Sequence, residues 1–575
     1  MRAKYIYFVI SIGIAGGCTT GIIFSVKEIL ANRYISYAMY KLCADCLQKL
    51  LNKWTVRGIA VSLLLIIMYL FYYYTLTLLI KKEEPLYSNF IKTLNTLLPF
   101  RYTTALVIPC LIVLGVSNLL PGMLTKNLHC PPIILISIDD LRADHLGCYG
   151  YQRNTSPTID SFAKEGILFK NCFIPEPWTL SSHLSMLTSL YPITHGTDMT
   201  HSMHPAIVTL AEVLSNEGYC AMGFVSGGAW TQIHYGFGQG FDHYSAGGPE
   251  RNGEQQNTLI RKYLEKYQEK DLFLFLHYFD VHSDYNKLPY DAPPPYTNLF
   301  STNYDGGFKG GDGDIFASKY LGYINKKQIT LKEDDLHHII SLYDNGIAYV
   351  DKCMDDLFTM LKDMDLFENA LIIITADHGE EFQEHGFLSH GSNPYYYEES
   401  VHVPLIIKLP NAENSVRGGN KGKVISSLAE SIDIMPTIVD LLHIKGPRMQ
   451  GQSLLGLIDG TEKGKEYVFG LTLSGRHFIR TERWKMLNDS GLKEGRFKLF
   501  NLENDPMERV NLIGKGLEVE DRLKRKLKEE IEVSLQLRKE LLNKKYIVSD
   551  AKRDHKDVFL TQEEQEKLKA LGYLQ

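Results

Sequence analysis

The sequence predicts an α/β fold built on a mostly parallel central sheet. Short β-rich apolar runs recur at Ile133 to Ile138, Phe273 to Leu276, Leu371 to Thr375 and Val403 to Leu409. Helical stretches lie between or after them, at Ser156 to Glu165, Ala206 to Asn216, Leu336 to Lys362 and Ser426 to Leu442. This alternation is the pattern of strands crossed over by helices. No period of about 20 to 50 residues recurs, which excludes a solenoid.

Composition bounds the rest. The chain has 575 residues, 45% hydrophobic and 22% charged, so it is globular material and too long for one small domain. With 61 Lys+Arg against 67 Asp+Glu, the net charge of -6 gives no basic excess for a phosphate backbone. Nucleic acid is therefore not an expected partner. Nine cysteines scattered over this length are not the dense framework of a disulfide scaffold.

The first 125 residues read as a membrane region. Runs at 5–26, 58–80 and 103–120 carry no charged residue, and each is long enough to cross a hydrocarbon core of about 30 Å. Trp54, Tyr72, Tyr73, Tyr74 and Tyr102 fall near the expected interfaces. The reading is three transmembrane helices in an integral membrane protein; a cleaved signal peptide for the first run and a buried core helix for the third are the alternatives. Lys and Arg are nearly balanced on the two sides, so charge does not orient the spans. Farther on, Tyr304 to Asp314 (YDGGFKGGDGD) lacks the Lys-Ser/Thr ending of a phosphate loop and reads as a surface insertion.

Chemistry concentrates where strands end. Asp139 and Asp140 follow the first run, and Asp377 and His378 follow the third. Ligands of open α/β sheets bind at this carboxyl edge, and acids converging there call for a cation. Carboxylates with an imidazole suit a divalent metal, although each pair alone also fits a turn or a helix cap. Thr179, in Pro177-Trp-Thr-Leu-Ser-Ser-His183, opens a stretch with Leu184, Leu187 and Leu190 at helical spacing. That hydroxyl reads either as a helix cap or as a nucleophile at a helix N-terminus that also attracts an anion. His277 and His282 follow the strand at 273–276, while His385 and His390 lie in EFQEHGFLSHG; they are candidate proton donors or cationic clamps.

Several motifs together carry a resemblance. ISIDDLRADHLGCYGY, NTSPTIDSFAKEGILFKNCF, MLTSLYPITHG, DHGEEFQEHGFLSHG, YEESVHVPLII and LFNLENDPMERVNL, in this order, resemble the sulfatase family of the alkaline phosphatase superfamily. The similarity runs from about Ile133 to the closing LKALGYL. It implies an alkaline-phosphatase-like α/β core with a smaller C-terminal subdomain and one divalent metal at the strand ends. The chain is then expected to divide into a membrane region at 1–125, a catalytic core at 126–445, a C-terminal subdomain at 446–515, and a charged helix and tail at 516–575.

Carried over residue by residue, the resemblance makes Asp139, Asp140, Asp377 and His378 metal ligands and puts Thr179 at the nucleophile position, also facing the metal. His282 and His390 match substrate and leaving-group positions; Arg142, His183 and His277 are assigned to the substrate's charged oxygens. Glu399, Trp484, Asn504 and Asp505 fall in family-like stretches read as scaffold, and His402 stands where relatives often have Arg. One departure is informative. Classical members carry Cys or Ser in a C/S-x-P-x-R motif matured to formylglycine, and here the segment reads Thr179-Leu-Ser-Ser-His183, so no formylglycine is expected. Thr at this position is similar to membrane-anchored phosphoethanolamine transferases and lipoteichoic acid synthases, which implies an extracytoplasmic catalytic domain.

Chemistry favours a phosphate over a sulfate ester. A formylglycine hydrate can expel sulfate through its second hydroxyl, and a Thr sulfate has no such exit, whereas a phospho-Thr can be attacked in line beside a metal. His378, in place of the Asn common in calcium-binding members, favours Mn or Zn, with Ca and Mg as alternatives. The expected partner is an ester substrate such as a lipid head group or envelope glycan. A true sulfatase and an inert binder of an anionic ligand are the rival readings.

Overall fold

The computed structural model describes residues 130–543, apart from 228–229, 249–250, 283–289, 291, 301–303, 307–322, 391–395, 418 and 489–495. The runs 5–26, 58–80 and 103–120, most of the Gly/Asp-rich loop and the tail after 543 lie outside the described residues. Among the described residues no helix is long and apolar enough to cross a membrane. This corrects the expectation of an integral membrane protein with an extracytoplasmic catalytic domain. The two longest helices described, of 31 and 26 residues, carry acidic and basic side chains along their length.

The strands are β1 (Ile133–Ile138), β2 (Ile167–Phe173), β3 (Cys220–Val225), β4 (His243–Ala246), β5 (Leu272–Tyr278), β6 (Leu371–Ala376), β7 (Glu381–Phe382), β8 (Leu388–Ser389), β9 (His402–Lys408), β10 (Lys423–Glu430), β11 (Val468–Leu471), β12 (His477–Arg480), β13 (Trp484–Asn488) and β14 (Phe497–Asn501). Eight form one sheet in the order β10-β2-β9-β6-β1-β5-β3-β4. Its pairings are parallel except where β9 runs antiparallel between β2 and β6. β1, β5 and β6 are buried along their whole length, as strands covered by helices on both faces must be, which is why they read as unbroken apolar runs.

The principal helices are α1 (Pro157–Glu165), α2 (Thr179–Thr188), α3 (Leu210–Asn216), α4 (Gly253–Tyr267), α5 (Glu333–Asp363), α6 (Ile434–Leu441) and α7 (Glu518–Asn543). Local chemistry sets several ends. Pro157 supplies a preset φ at the start of α1. Thr209 and Glu212 form a capping box, so α3 begins after Thr209 and not at Ala206. The helix expected over Ser426 to Leu442 is two elements: residues up to Glu430 belong to β10, and only Ile434–Leu441 is α-helical. β10 is an edge strand whose register with β2 shifts between Ile425 and Leu428. The irregular Ser426-Ser427 step broke the strand pattern and left an apparent helical period.

β11 to β14 form a separate antiparallel meander. Its Phe469, Ile479, Met486 and Leu499 share one apolar cluster with Leu523 and Leu527 of α7 and with Tyr191, Ile193 and Ile432 of the larger unit. Such shared burial docks the small sheet on the core through the hydrophobic effect.

Candidate active site

Three neighbouring strands end together. Ile138 stands opposite Tyr278 of β5 and Ala376 of β6, so Asp139 and Asp377 leave the sheet side by side. Asp139 N–H donates to the Tyr278 carbonyl at 2.9 Å and prolongs the ladder. Asp140 then turns with φ 59°, a left-handed conformation that Asp tolerates better than most residues. Tyr343 of α5 fixes this turn, donating to the Asp140 carbonyl at 2.7 Å and accepting from Arg142 N–H at 2.9 Å. From the other side, the Ser182 hydroxyl of α2 donates to the Asp377 carbonyl.

The donors that could hold a metal converge on His378 Nε2. It lies 3.2 Å from Thr179 Oγ1, 3.4 Å from Asp377 Oδ2 and 3.6 Å from Asp139 Oδ1. Four ligands placed tetrahedrally at about 2.0–2.2 Å from an ion are about 3.3–3.6 Å apart; the three distances at His378 Nε2 are close to that spacing, and the Asp139, Asp377 and His378 ligating atoms lie within 4.8 Å of one another. Asp140 forms further ligating groups, with His378 and His390 and with Asp139 and His282. All of these carboxylates are fully buried. No backbone or hydroxyl donor reaches either oxygen of Asp139 or Asp140, or Oδ2 of Asp377; imidazole nitrogens face them instead.

Electrostatics shows the same demand for positive charge. Burial and then the charge of Asp139 push Asp377 up to about 7. Burial alone would lower His378, but the Asp377 and Asp140 carboxylates outweigh both that and the His390 charge and raise it to about 9. His277 is raised as well: burial opposes the shift, and the hydrogen bond and charge of Asp139 overcome it.

Thr179 is the first residue of α2, and Trp178 holds the cap position. The capping alternative for the Thr179 hydroxyl is thus not realised. No side chain caps this helix start, and its hydroxyl faces His378. His282 Nε2 is 3.8 Å from Asp140 Oδ2, and its ring stacks on Phe279 and meets His390 edge-on. His277 Nδ1 donates to the Ser226 carbonyl at 2.9 Å, which turns Nε2 to Asp139 Oδ2 at 3.1 Å.

Two residues assigned to substrate oxygens have other partners. His183 Nδ1 donates to the Thr179 carbonyl at 2.9 Å while Nε2 accepts from Ser137 at 2.8 Å. Burial, then the nearby His277 charge, holds His183 well below its ordinary range, so it is neutral and ties α2 to β1. The Arg142 guanidinium clasps Asp144, Glu384 and the Glu380 carbonyl. Motif reading gave no role to Glu380, which is fully buried and accepts from His390 Nδ1 at 2.9 Å. Burial and then the charge of Asp140 push its carboxyl up to about 8. The available signal was an acid two residues beyond a strand-end imidazole.

A second group, His385, Glu399 and Glu508, also places ligating atoms within 4.8 Å of one another. Lys485, itself buried, lies 3.0 Å from Glu508 and 2.9 Å from Glu398, so this network already contains its cation. His402, at the position where Arg was expected, stacks on Phe173 and bonds the Lys170 carbonyl, with Arg480 over the same Phe173 ring.

An acid and imidazole cluster on the carboxyl edge of a parallel sheet, beside a hydroxyl on a helix start, is the architecture of an α/β ester-cleaving enzyme. Residues 131–444 match the family model described as Sulfatase, and residues 383–536 match one described as N-sulphoglucosamine sulphohydrolase, C-terminal. The chain belongs to the sulfatase family. An arylsulfatase of Clostridium perfringens is 25% identical over 452 residues, covering 67% of this chain and 90% of that protein. An N-acetylglucosamine-6-O-sulfatase of Bacteroides thetaiotaomicron is 23% identical, covering 67% and 83%. The solved structure of a phosphonate monoester hydrolase from Silicibacter pomeroyi superposes with a TM-score of 0.55 at 18% identity, covering 71% of this chain and 95% of that one.

Proposed function

We propose that this sulfatase-family enzyme cleaves or transfers a phosphate ester through Thr179 as a covalent nucleophile. The observation that carries the reading is the Thr179 hydroxyl at a side-chain-uncapped helix start, 3.2 Å from His378 Nε2. Asp139, Asp377, His378 and Thr179, with Asp140 at the edge, would hold a divalent ion, Mn or Zn by the imidazole in the set, with Ca or Mg as alternatives. Bound there, it would supply Lewis-acid polarisation and lower the pKa of the Thr179 hydroxyl.

The chain's own groups then perform an in-line displacement. Thr179 Oγ1 gives up its proton to solvent and forms a bond to phosphorus while the bond to the leaving oxygen breaks, and His390 or His282 gives that oxygen a proton. The α2 start contributes N–H groups and the positive end of its dipole to the nonbridging oxygens. Water or an acceptor hydroxyl then attacks phosphorus and releases Thr179.

Incubating the full chain with a generic phosphodiester and measuring intact mass tests this. A phosphoryl adduct mapped to Thr179 is the expected result; turnover with no adduct in wild-type protein and undiminished turnover in Thr179→Ala would overturn it. Sulfate-ester hydrolysis is the second reading, favoured by relatives named as sulfatases. An aryl sulfate assayed in parallel separates the two.

A further inference from the structure

The β7–β8 ribbon brings together two side chains that are ten residues apart in sequence. Glu381 pairs with Ser389 and Phe382 with Leu388, so Glu380 and His390 are the next residues on the two strands, facing across the ribbon's end. The Arg142 guanidinium donates to the Glu380 carbonyl at 2.9 Å and holds its backbone in place. Glu380 Oε2 is aligned to accept from His390 Nδ1 at 2.9 Å. Asp140 Oδ1 lies equally near that nitrogen, at 2.9 Å, but it also faces His378 Nδ1 at 2.8 Å and belongs to the cation-facing set. Glu380 lies outside that set and is the carboxyl group to which His390 Nδ1 is hydrogen-bonded.

A histidine with Nδ1–H committed to a carboxylate has its tautomer and ring direction fixed, which leaves Nε2 for chemistry. We propose that Glu380 is a positioning residue that orients His390 so that Nε2 meets the leaving oxygen of the ester. As the ester bond breaks, the Nε2 proton passes to that oxygen, and the neutral ring keeps its remaining proton on Nδ1, against Glu380. The inference rests on the phosphate-ester reading and on His390 serving the leaving group.

The dependence on leaving group tests it. Poor leaving groups need a proton in the transition state and good ones do not. The full chain would be assayed on matched phosphodiesters of 4-nitrophenol, phenol and a simple alcohol, for wild type, Glu380→Ala, His390→Ala and the double variant. Glu380→Ala is expected to lower kcat/KM about 100-fold on the alkyl ester and less than about threefold on the 4-nitrophenyl ester. The double variant should match His390→Ala within about twofold, because groups acting as one unit are not additive. An equal loss on every ester, or multiplied losses in the double variant, overturns the assignment. Should Glu380→Ala fail to fold, Glu380→Gln keeps an oxygen acceptor and should retain a wild-type leaving-group dependence, while Glu380→Asp, with its carboxylate drawn back, should steepen it. Wild-type protein inactive on all the esters would overturn the underlying reading first.

Discussion

The Thr179 hydroxyl and His378 Nε2 lie 3.2 Å apart, although 199 positions separate them in the chain. α2 delivers one and the end of β6 the other, and the contact places the Thr179 hydroxyl among buried carboxylates. Thr179→Ala should lower turnover by roughly 1,000-fold or more with the far-ultraviolet circular dichroism unchanged. Thr179→Ser, which keeps the oxygen, should retain measurable activity. Activity within a few fold of wild type in the alanine variant would remove Thr179 from the mechanism.

The buried oxygens of Asp139, Asp140 and Asp377, faced by imidazoles and by no backbone or hydroxyl donor apart from that reaching Asp377 Oδ1, make metal removal a stability experiment as well. Purified protein is expected to hold about one divalent ion, counted by elemental analysis. Restoring the ion at about 100 times its Kd should stabilise the fold by about 2.7 kcal/mol, read as a higher Tm. His378→Ala should lower both metal content and this gain.

Acid should destabilise the protein through His195. Its Nδ1 accepts the Thr197 N–H at 3.2 Å and its Nε2 meets the Ser185 hydroxyl at 3.2 Å. Burial pushes its pKa from 6.5 down to about 3. The unfolded chain therefore binds a proton below about pH 6.5 that the native state refuses until near pH 3. Stability is lost as pH falls through this window, by up to about 1.4 kcal/mol per pH unit for this one group. Urea titrations at pH 7 and 5 would measure the slope. His195→Asn should flatten it by about that amount, and an unchanged slope would count against the assignment.

Lys485 offers a test of the ion network beside the small sheet. It is fully buried and pairs with Glu398 and Glu508. Lys485→Met should destabilise the fold by about 3–5 kcal/mol, since the buried Glu508 loses its cation while Glu398 keeps only Arg480. The measurement is Tm by calorimetry, with Glu508→Gln added to Lys485→Met as a partial rescue.

The fold was legible in sequence wherever burial was complete. β1, β5 and β6 are covered on both faces, so each appears as an apolar run whose position needs no knowledge of its neighbours. β10 was illegible because it is an edge strand with a shifted register, and edge strands lack a uniform apolar signature. β9 was found as a strand, but its antiparallel direction is a property of pairing. The membrane reading came from residues outside those described, and the described helices do not extend it.

The candidate site divides along the same line. Sequence by itself determined which acids and imidazoles follow the strand ends, Asp139, Asp140, Asp377 and His378 among them, because strand termini at a sheet edge are set by chain order and local hydrophobicity. It also placed Thr179 ahead of Leu184, Leu187 and Leu190 at helical spacing, and so at a helix start. Only the tertiary structure decided direction: His183 turns into the α2–β1 seam, Arg142 is held by Asp144 and Glu384, and Glu380 meets His390 across a two-stranded ribbon. A side chain's partner depends on backbone turns and packing contributed by distant segments, such as Tyr343 on the left-handed Asp140, and no local pattern encodes those.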